Sequence, residues 1–264
     1  MNTKKALEEF KKFSDYEVLR ITKKELKKCD DYGYDYIGKE DVSNFDGAIE
    51  IEANLGLVKF KGSLRATKYI VASAGSGIEA GSDIEAGWGI KAGWGIEAGS
   101  GIEAGWSIEA GWGIKAGWGI KAGWSIEAGS DIEAGSDIEA GWSIEAGWGI
   151  KAGSGIKAGW SIEAGSGIEA GWGIKAGWGI VSLYSWIKAK LKITIDSRCR
   201  IVAGIFSYDG EKEVEAQEIE GQVAYGKVNL LPKPETQNKK KELMSKADEL
   251  IAKANELKEE AEKL

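Results

Sequence analysis

Between Gly75 and Ser182 one six-residue phrase recurs eighteen times without a break: Gly, then Trp or Ser, then Gly, Ser or Asp, then Ile, then Glu or Lys, then Ala, the last copy ending Val181-Ser182. One aliphatic residue in six cannot build a core within its own unit. Each unit must bury its Ile by stacking on copies of itself, as a short strand followed by a corner. The pattern predicts a mainly β fold, a parallel β-solenoid, and shows shape far more clearly than activity.

The variable positions set the length of a turn, because residues stacked above one another should agree. Counting hexads from Gly75, every third one carries Trp at its second position: Trp88, Trp106, Trp124, Trp142, Trp160 and Trp178. The other two classes hold three and two Trp. The four copies of Gly-Trp-Ser-Ile-Glu-Ala place Ser107, Ser125, Ser143 and Ser161 at steps of eighteen. Three hexads per turn, about 18 residues, follows. Duplication of an eighteen-residue unit would give the same alignment, but the intervening hexads are not copies of one another.

Three sides of six resembles the left-handed, triangular parallel β-helix of hexapeptide-repeat proteins, on the strength of an Ile at every sixth position from Ile78 to Ile180. That family usually has a small residue two places before the aliphatic one, where this chain often has Trp. Trp112, Trp118 and Trp124 would share one turn. A close-packed interior with rungs about 4.8 Å apart has little room for three indoles beside three Ile. Ile-Glu/Lys-Ala therefore reads as the strand, Ile and Ala inward, and Gly-Trp/Ser-Gly/Ser/Asp as the corner, with Trp outside or along the wall. The alternative puts Trp inside a wider barrel. Glycines bracketing the variable residue suggest corners with unusual backbone angles.

Degenerate copies flank the array, at Ile51-Glu52-Ala53 and Ile70-Val71-Ala72 before it and at Ile187-Lys188-Ala189, Ile201-Val202-Ala203 and Val214-Glu215-Ala216 after it. Such turns close the ends of a stack whose open edges would otherwise recruit other chains. The expected organisation is an N-terminal α+β cap (1–46), degenerate turns (47–74), the hexapeptide solenoid (75–182) and a β cap (183–230). A linker containing Pro232 and Pro234 (231–238) and a C-terminal helix (239–264) complete it. In the N-terminal cap, Thr3 can open a short helix burying Ala6, Leu7, Phe10 and Phe13. Ser14-x-x-Glu17 and Thr22-x-x-Glu25 have the form of capping boxes, and a tyrosine-rich turn follows at Tyr32, Tyr34 and Tyr36.

Composition removes several functions. The chain has no His, so Ser-His-Asp or Cys-His catalysis and His-ligated zinc lose their central residue. Acyltransferases of the hexapeptide-repeat family rely on a histidine base, so the resemblance implies no activity here, and the expectation is a protein that is not an enzyme and uses no cofactor or metal. Cys29 and Cys199 have no metal-binding spacing and read as free thiols, with a bridge between the caps as the alternative. The array holds eleven Glu and three Asp against six Lys, a balance of −8 within a chain of net charge −7. Such a column repels nucleic-acid phosphates. No apolar run is long enough for a signal peptide or a membrane span, so no membrane partner and a cytoplasmic setting are expected.

The charges differ by side. The all-Trp class carries Lys91 and then Glu109, Glu127, Glu145 and Glu163 in succession, whereas the others mix Glu and Lys. Like charges at rung spacing oppose stability. A Trp column beside an acidic column is thus the candidate surface for a ligand or partner, suited to sugar faces, cationic groups or apolar protein surfaces. The plain alternative is that the indoles stack on each other and the Glu ladder is merely tolerated. Calcium is disfavoured by the absence of an Asp-rich ligand loop, and ice binding by the absence of Thr from the array.

In the tail, Leu243, Ala247, Leu250, Ala254, Leu257, Ala261 and Leu264 keep a four-three spacing. This predicts a helix with one narrow apolar seam, reaching about 39 Å if continuous. It would pack on another copy, on a separate protein, or back along its own solenoid. Gly-Trp-Gly-Ile-Lys-Ala runs with such flanks also resemble uncharacterised repeat proteins of bacteria and their prophages, which implies a bacterial or phage-infected cell and no mechanism. The expected function is a structural or interaction protein, a rigid acidic column tethered or made oligomeric through its tail, with protein or self as partner. The alternative is a binding module for carbohydrate or a cationic small molecule, in one form a phage inhibitor that sequesters its target.

Overall fold

The computed structural model describes residues 16–196, 200–206, 213–232 and 245–246. Two units are distinguished, Met1–Asn229 and Leu230–Leu264. In the second, only Leu230–Pro232 and the helical pair Ser245–Lys246 are described, so the seam residues Leu243, Ala247, Leu250, Ala254, Leu257, Ala261 and Leu264 lie outside the described residues. The proposed helix around Ala6, Leu7, Phe10 and Phe13, and Cys199, lie outside them too.

The first unit is a parallel β-solenoid. Each Ile-Glu/Lys-Ala triplet lies in a strand of three to five residues, with Ile and Ala buried and the residue between them facing out, as at Ile126–Ala128 and Ile132–Ala134. Alternation along a strand puts positions two apart on one face, and here that face is the column's interior. The array's Ile are at most 1% exposed and its Ala at most 8%. Each strand pairs in register with the one eighteen residues on, giving Ile108↔Ile126, Ile114↔Ile132 and Ile120↔Ile138. Three sheets result. The first contains Ile90–Ala92 and its successors, preceded by the all-Trp corners; the second contains Ile96–Ala98, and the third Ile102–Ala104. The indoles stand outside, with Trp106, Trp112, Trp118 and Trp124 all more than 60% exposed, which removes the wide-barrel alternative.

Corners are bonded turn to turn. The first-position N–H donates to the Ala carbonyl of the turn before (Gly135 to Ala116, 3.1 Å), and the second-position N–H to its equivalent (Trp142 to Trp124, 2.7 Å). The Ile N–H donates forward to the third-position carbonyl of the next turn (Ile126 to Ser143, 3.0 Å). Corner glycines do not need unusual backbone angles as expected from sequence, since within the array only Gly75 has a positive φ, of 74°. First-position glycines are required by close approach: a Cβ on Gly105, Gly123, Gly135 or Gly141 would lie 2.0 Å from the carbonyl oxygen of the glycine one turn earlier. At the third position the nearest atom is 3.2 Å away at Gly113 and 3.3 Å at Gly119. Ser and Asp are admitted there for that reason.

The flanks continue the same three sheets with longer corners. Ile187 stacks on Ile168 and Ile193 on Ile174 at steps of 19 residues, and Ile201 on Ile180 at 21. On the N-terminal side Ile49 pairs with Ile70 and Val58 with Ile78. Ser14 of the expected capping box Ser14-x-x-Glu17 lies outside the described residues, and Glu17 opens the strand Glu17–Ile21, which pairs in parallel with Gly47–Ile51. Sheet register with Gly47–Ile51 overrides the local signal. The box at Thr22-x-x-Glu25 does form, around a single 3-10 turn Lys23–Glu25, with the Thr22 N–H donating to Glu25 Oε2 at 2.9 Å. The Thr22 hydrogen bonds hold the Glu25 carboxyl below the usual carboxylate range. Leu26–Lys28 then runs antiparallel to Gly33–Tyr36, which pairs in parallel with Gly56–Phe60.

Candidate functional site

The first sheet carries both candidate columns. Trp88, Trp106, Trp124, Trp142, Trp160 and Trp178 are linked rung to rung by backbone bonds of 2.6–2.8 Å, and their side chains stack in two runs. Trp142, Trp160 and Trp178 lie parallel within 3°, with ring centroids 4.9 and 4.7 Å apart, while Trp88 stacks on Trp106 at 6.1 Å. Trp124 joins neither run by a ring contact among the described residues. The N-terminal end of the column is closed by a cluster the sequence reading missed. Tyr16 meets Trp88 edge-on at 5.7 Å, Tyr69 lies 6.4 Å away, and Lys68 Nζ sits 5.3 Å from the Trp88 ring centre. Tyr69 in turn donates to Glu50 Oε1 at 2.8 Å, and burial with that carboxylate pushes its phenol well above the usual tyrosine range.

Three residues along each hexad stands the acidic column. Glu109, Glu127, Glu145 and Glu163 face one another in register on four successive rungs. Lys91 meets Glu109 at 2.6 Å, and this partner holds its ammonium above the usual lysine range. Among the described residues no cation lies within ion-pair distance of Glu127, Glu145 or Glu163. Their side chains line a shallow groove of about 300 Å³ with Gly147, Gly165 and Leu183. From Glu97 onward the second sheet alternates, with Glu97, Lys115, Glu133, Lys151, Glu169 and Lys188 in register. Like pairs elsewhere are single (Glu79 on Glu97, Glu85 on Glu103, Lys157 on Lys175), whereas the first sheet stacks four Glu in a row. The Trp and Glu columns thus run side by side along the first sheet. Between them the serines fill the wall, with Ser107 and Ser125 hydroxyls 3.2 Å apart and Ser143 and Ser161 each 7% exposed.

That filling distinguishes the sheets. On the other two sheets troughs open between indoles and the charged row. On the second sheet one of about 550 Å³ is lined by Trp94, Trp112, Gly95, Gly113, Glu97 and Lys115, among others. On the third, one of about 450 Å³ runs past Trp118, Gly119 and Lys121. Sequence reading missed these troughs although their signal was present, since Ser at position three is confined to the all-Trp class.

The array's three Asp also acquire a role. Third-position N–H groups are the ones that corner bonding leaves over, and Asp supplies the acceptor for the next turn. Gly149 donates to Asp131 Oδ1 and Gly155 to Asp137 Oδ1 at 2.8 Å, and Gly101 to Asp83 Oδ1 at 3.1 Å. Ser82, Ser130 and Ser136 donate to the second oxygen of each carboxylate. Among the described residues no group of three or more His, Cys, Asp or Glu is placed to hold a metal ion, and no helix is long and apolar enough to cross a membrane. Comparison with protein-family models, with curated proteins and with solved structures finds no match to this chain, so the geometry alone carries the functional reading.

Proposed function

We propose that this chain is a non-enzymatic structural or interaction protein, a rigid acidic column that displays its first sheet to a partner and is tethered or self-associated through residues 239–264. The observation that carries the reading is the unbroken run of four stacked Glu on the first sheet. A surface that served the stack alone would alternate its charges as the second sheet does, because facing like charges are destabilising and facing opposite ones contribute roughly 0.2–1 kcal/mol. The first sheet instead keeps Glu127, Glu145 and Glu163 stacked with no cation among the described residues in ion-pair range, beside Trp142, Trp160 and Trp178. Exposed indoles beside uncompensated carboxylates suit a partner with basic and apolar groups. The seam of the tail supports self-association.

Light scattering of the full chain and of a chain ending at residue 235 tests the tether. The expected outcome is a larger mass for the full chain, a smaller one after truncation, and the same β signal and melting temperature in both. An unchanged mass with a marked loss of solenoid stability would instead mean that the tail packs on its own column, and the tethering role would fall. The second reading, a ligand-binding module, is favoured by the same exposed indoles.

A further inference from the structure

From the third-position N–H groups and the trough on the second sheet, we infer a binding site for a neutral glycan bearing N-acetylated amino sugars, centred on Trp112 and Gly113. The chain itself shows what such an N–H takes. Wherever the preceding turn has Asp at position three, its carboxylate oxygen sits on the glycine N–H, at 2.8 Å for Gly149. The turn before Gly113 has Gly95 instead, and the Gly113 N–H donates to no group among the described residues. A ligand oxygen can occupy beside Gly113 the place that Asp131 Oδ1 occupies beside Gly149, two turns further along the column.

The surroundings specify the rest of the ligand. Trp94 and Trp112 stack at 5.5 Å and 12°, forming one wall. The next corner carries Ser130, not an indole, and Ser130 and Asp131 line the same trough as Trp112, which is more than 60% exposed. A pyranose ring lays its C–H face on such a surface. The opposite wall alternates Glu97, Lys115 and Glu133, which accept from and donate to sugar hydroxyls. Charge decides between acceptors for the Gly113 N–H. A ligand carboxylate would face Glu97, Glu133 and Asp131 against the one Lys115, and a cation would find a better field on the first sheet. An acetamido carbonyl offers the same acceptor geometry as the Asp carboxylate without its charge.

The site is independent of the tail and of the first sheet, so its failure would leave the scaffold reading standing. Titration of the full chain with tri-N-acetylchitotriose, read by tryptophan fluorescence and calorimetry, tests it, with cellotriose as the comparison. Saturable binding of the acetylated sugar, at least about tenfold tighter than cellotriose, is expected. Gly95→Asp supplies the chain's own carboxylate to Gly113, as Asp131 does to Gly149. It should abolish binding while leaving far-UV circular dichroism and melting unchanged, since position three already hosts Asp elsewhere. Trp112→Ala should weaken binding at least about tenfold. No saturable response to the acetylated sugar, equal affinity for cellotriose, or full binding by Gly95→Asp would each overturn the assignment.

Discussion

A methyl group added to Gly135 would sit 2.0 Å from the Gly117 carbonyl oxygen, whereas one added to Gly119 meets nothing nearer than 3.3 Å. Rungs cannot separate locally without breaking the bonds that join them, so Gly135→Ala should destabilise by about 1–3 kcal/mol or more, as overpacking does. Gly119→Ala should stay within about 0.5 kcal/mol, as surface substitutions do. Thermal or denaturant unfolding of the two variants checks the contrast, and equal losses would contradict it. The invariance of the first glycine and the variability of the third were both visible in the sequence, but their cause was not. Sequence suggested dihedral demands, while the actual constraint comes from a backbone eighteen residues away. The same distance hid the role of Asp83, Asp131 and Asp137, whose partners lie one turn further on.

At the level of strands, charge order separates the sheets and can be exchanged. Glu145→Lys would turn the stack Glu127, Glu145, Glu163 into an alternating row, and should raise stability by roughly 0.2–1 kcal/mol. Lys151→Glu would place three carboxylates in line with Glu133 and Glu169, and should lower it by a similar amount. Urea unfolding of both variants reads the two signs, and a loss for Glu145→Lys would mean that the acidic column is not strained. Strand identity, turn length and the inward face of Ile and Ala were legible because a strict period repeats the same evidence eighteen times. Where the period lapses, legibility went with it. Ser14-x-x-Glu17 looked like a helix start, yet Glu17–Ile21 has its register set by Gly47–Ile51, a pairing no local pattern announces. The trough beside Trp112 was hidden for another reason. It depends on Gly at position three beside an incomplete Trp column, whereas the complete column lies on the sheet whose serines fill that space.

For the molecule as a whole, the rung is the unit of change. Deleting residues 111–128 removes one whole turn and keeps every remaining side chain on its sheet, so a shorter folded solenoid is expected. Deleting residues 111–122 removes two sides of three, sets the all-Trp corners against the Ser-rich ones and breaks the charge alternation. It should melt at a clearly lower temperature, and equal melts would contradict the eighteen-residue turn. The direction of the bonds between rungs has a mechanical consequence. They run along the axis, so a force applied at the two ends of the column loads them one rung at a time and does not shear a whole sheet at once. Each rung that lets go frees eighteen residues, about 60 Å of slack chain at roughly 3.3–3.6 Å per residue, in exchange for about 4.8 Å of column. Pulled from its ends, such a molecule should pay out length in even, low-force steps and wind back in the same increments, a spring that yields by counting.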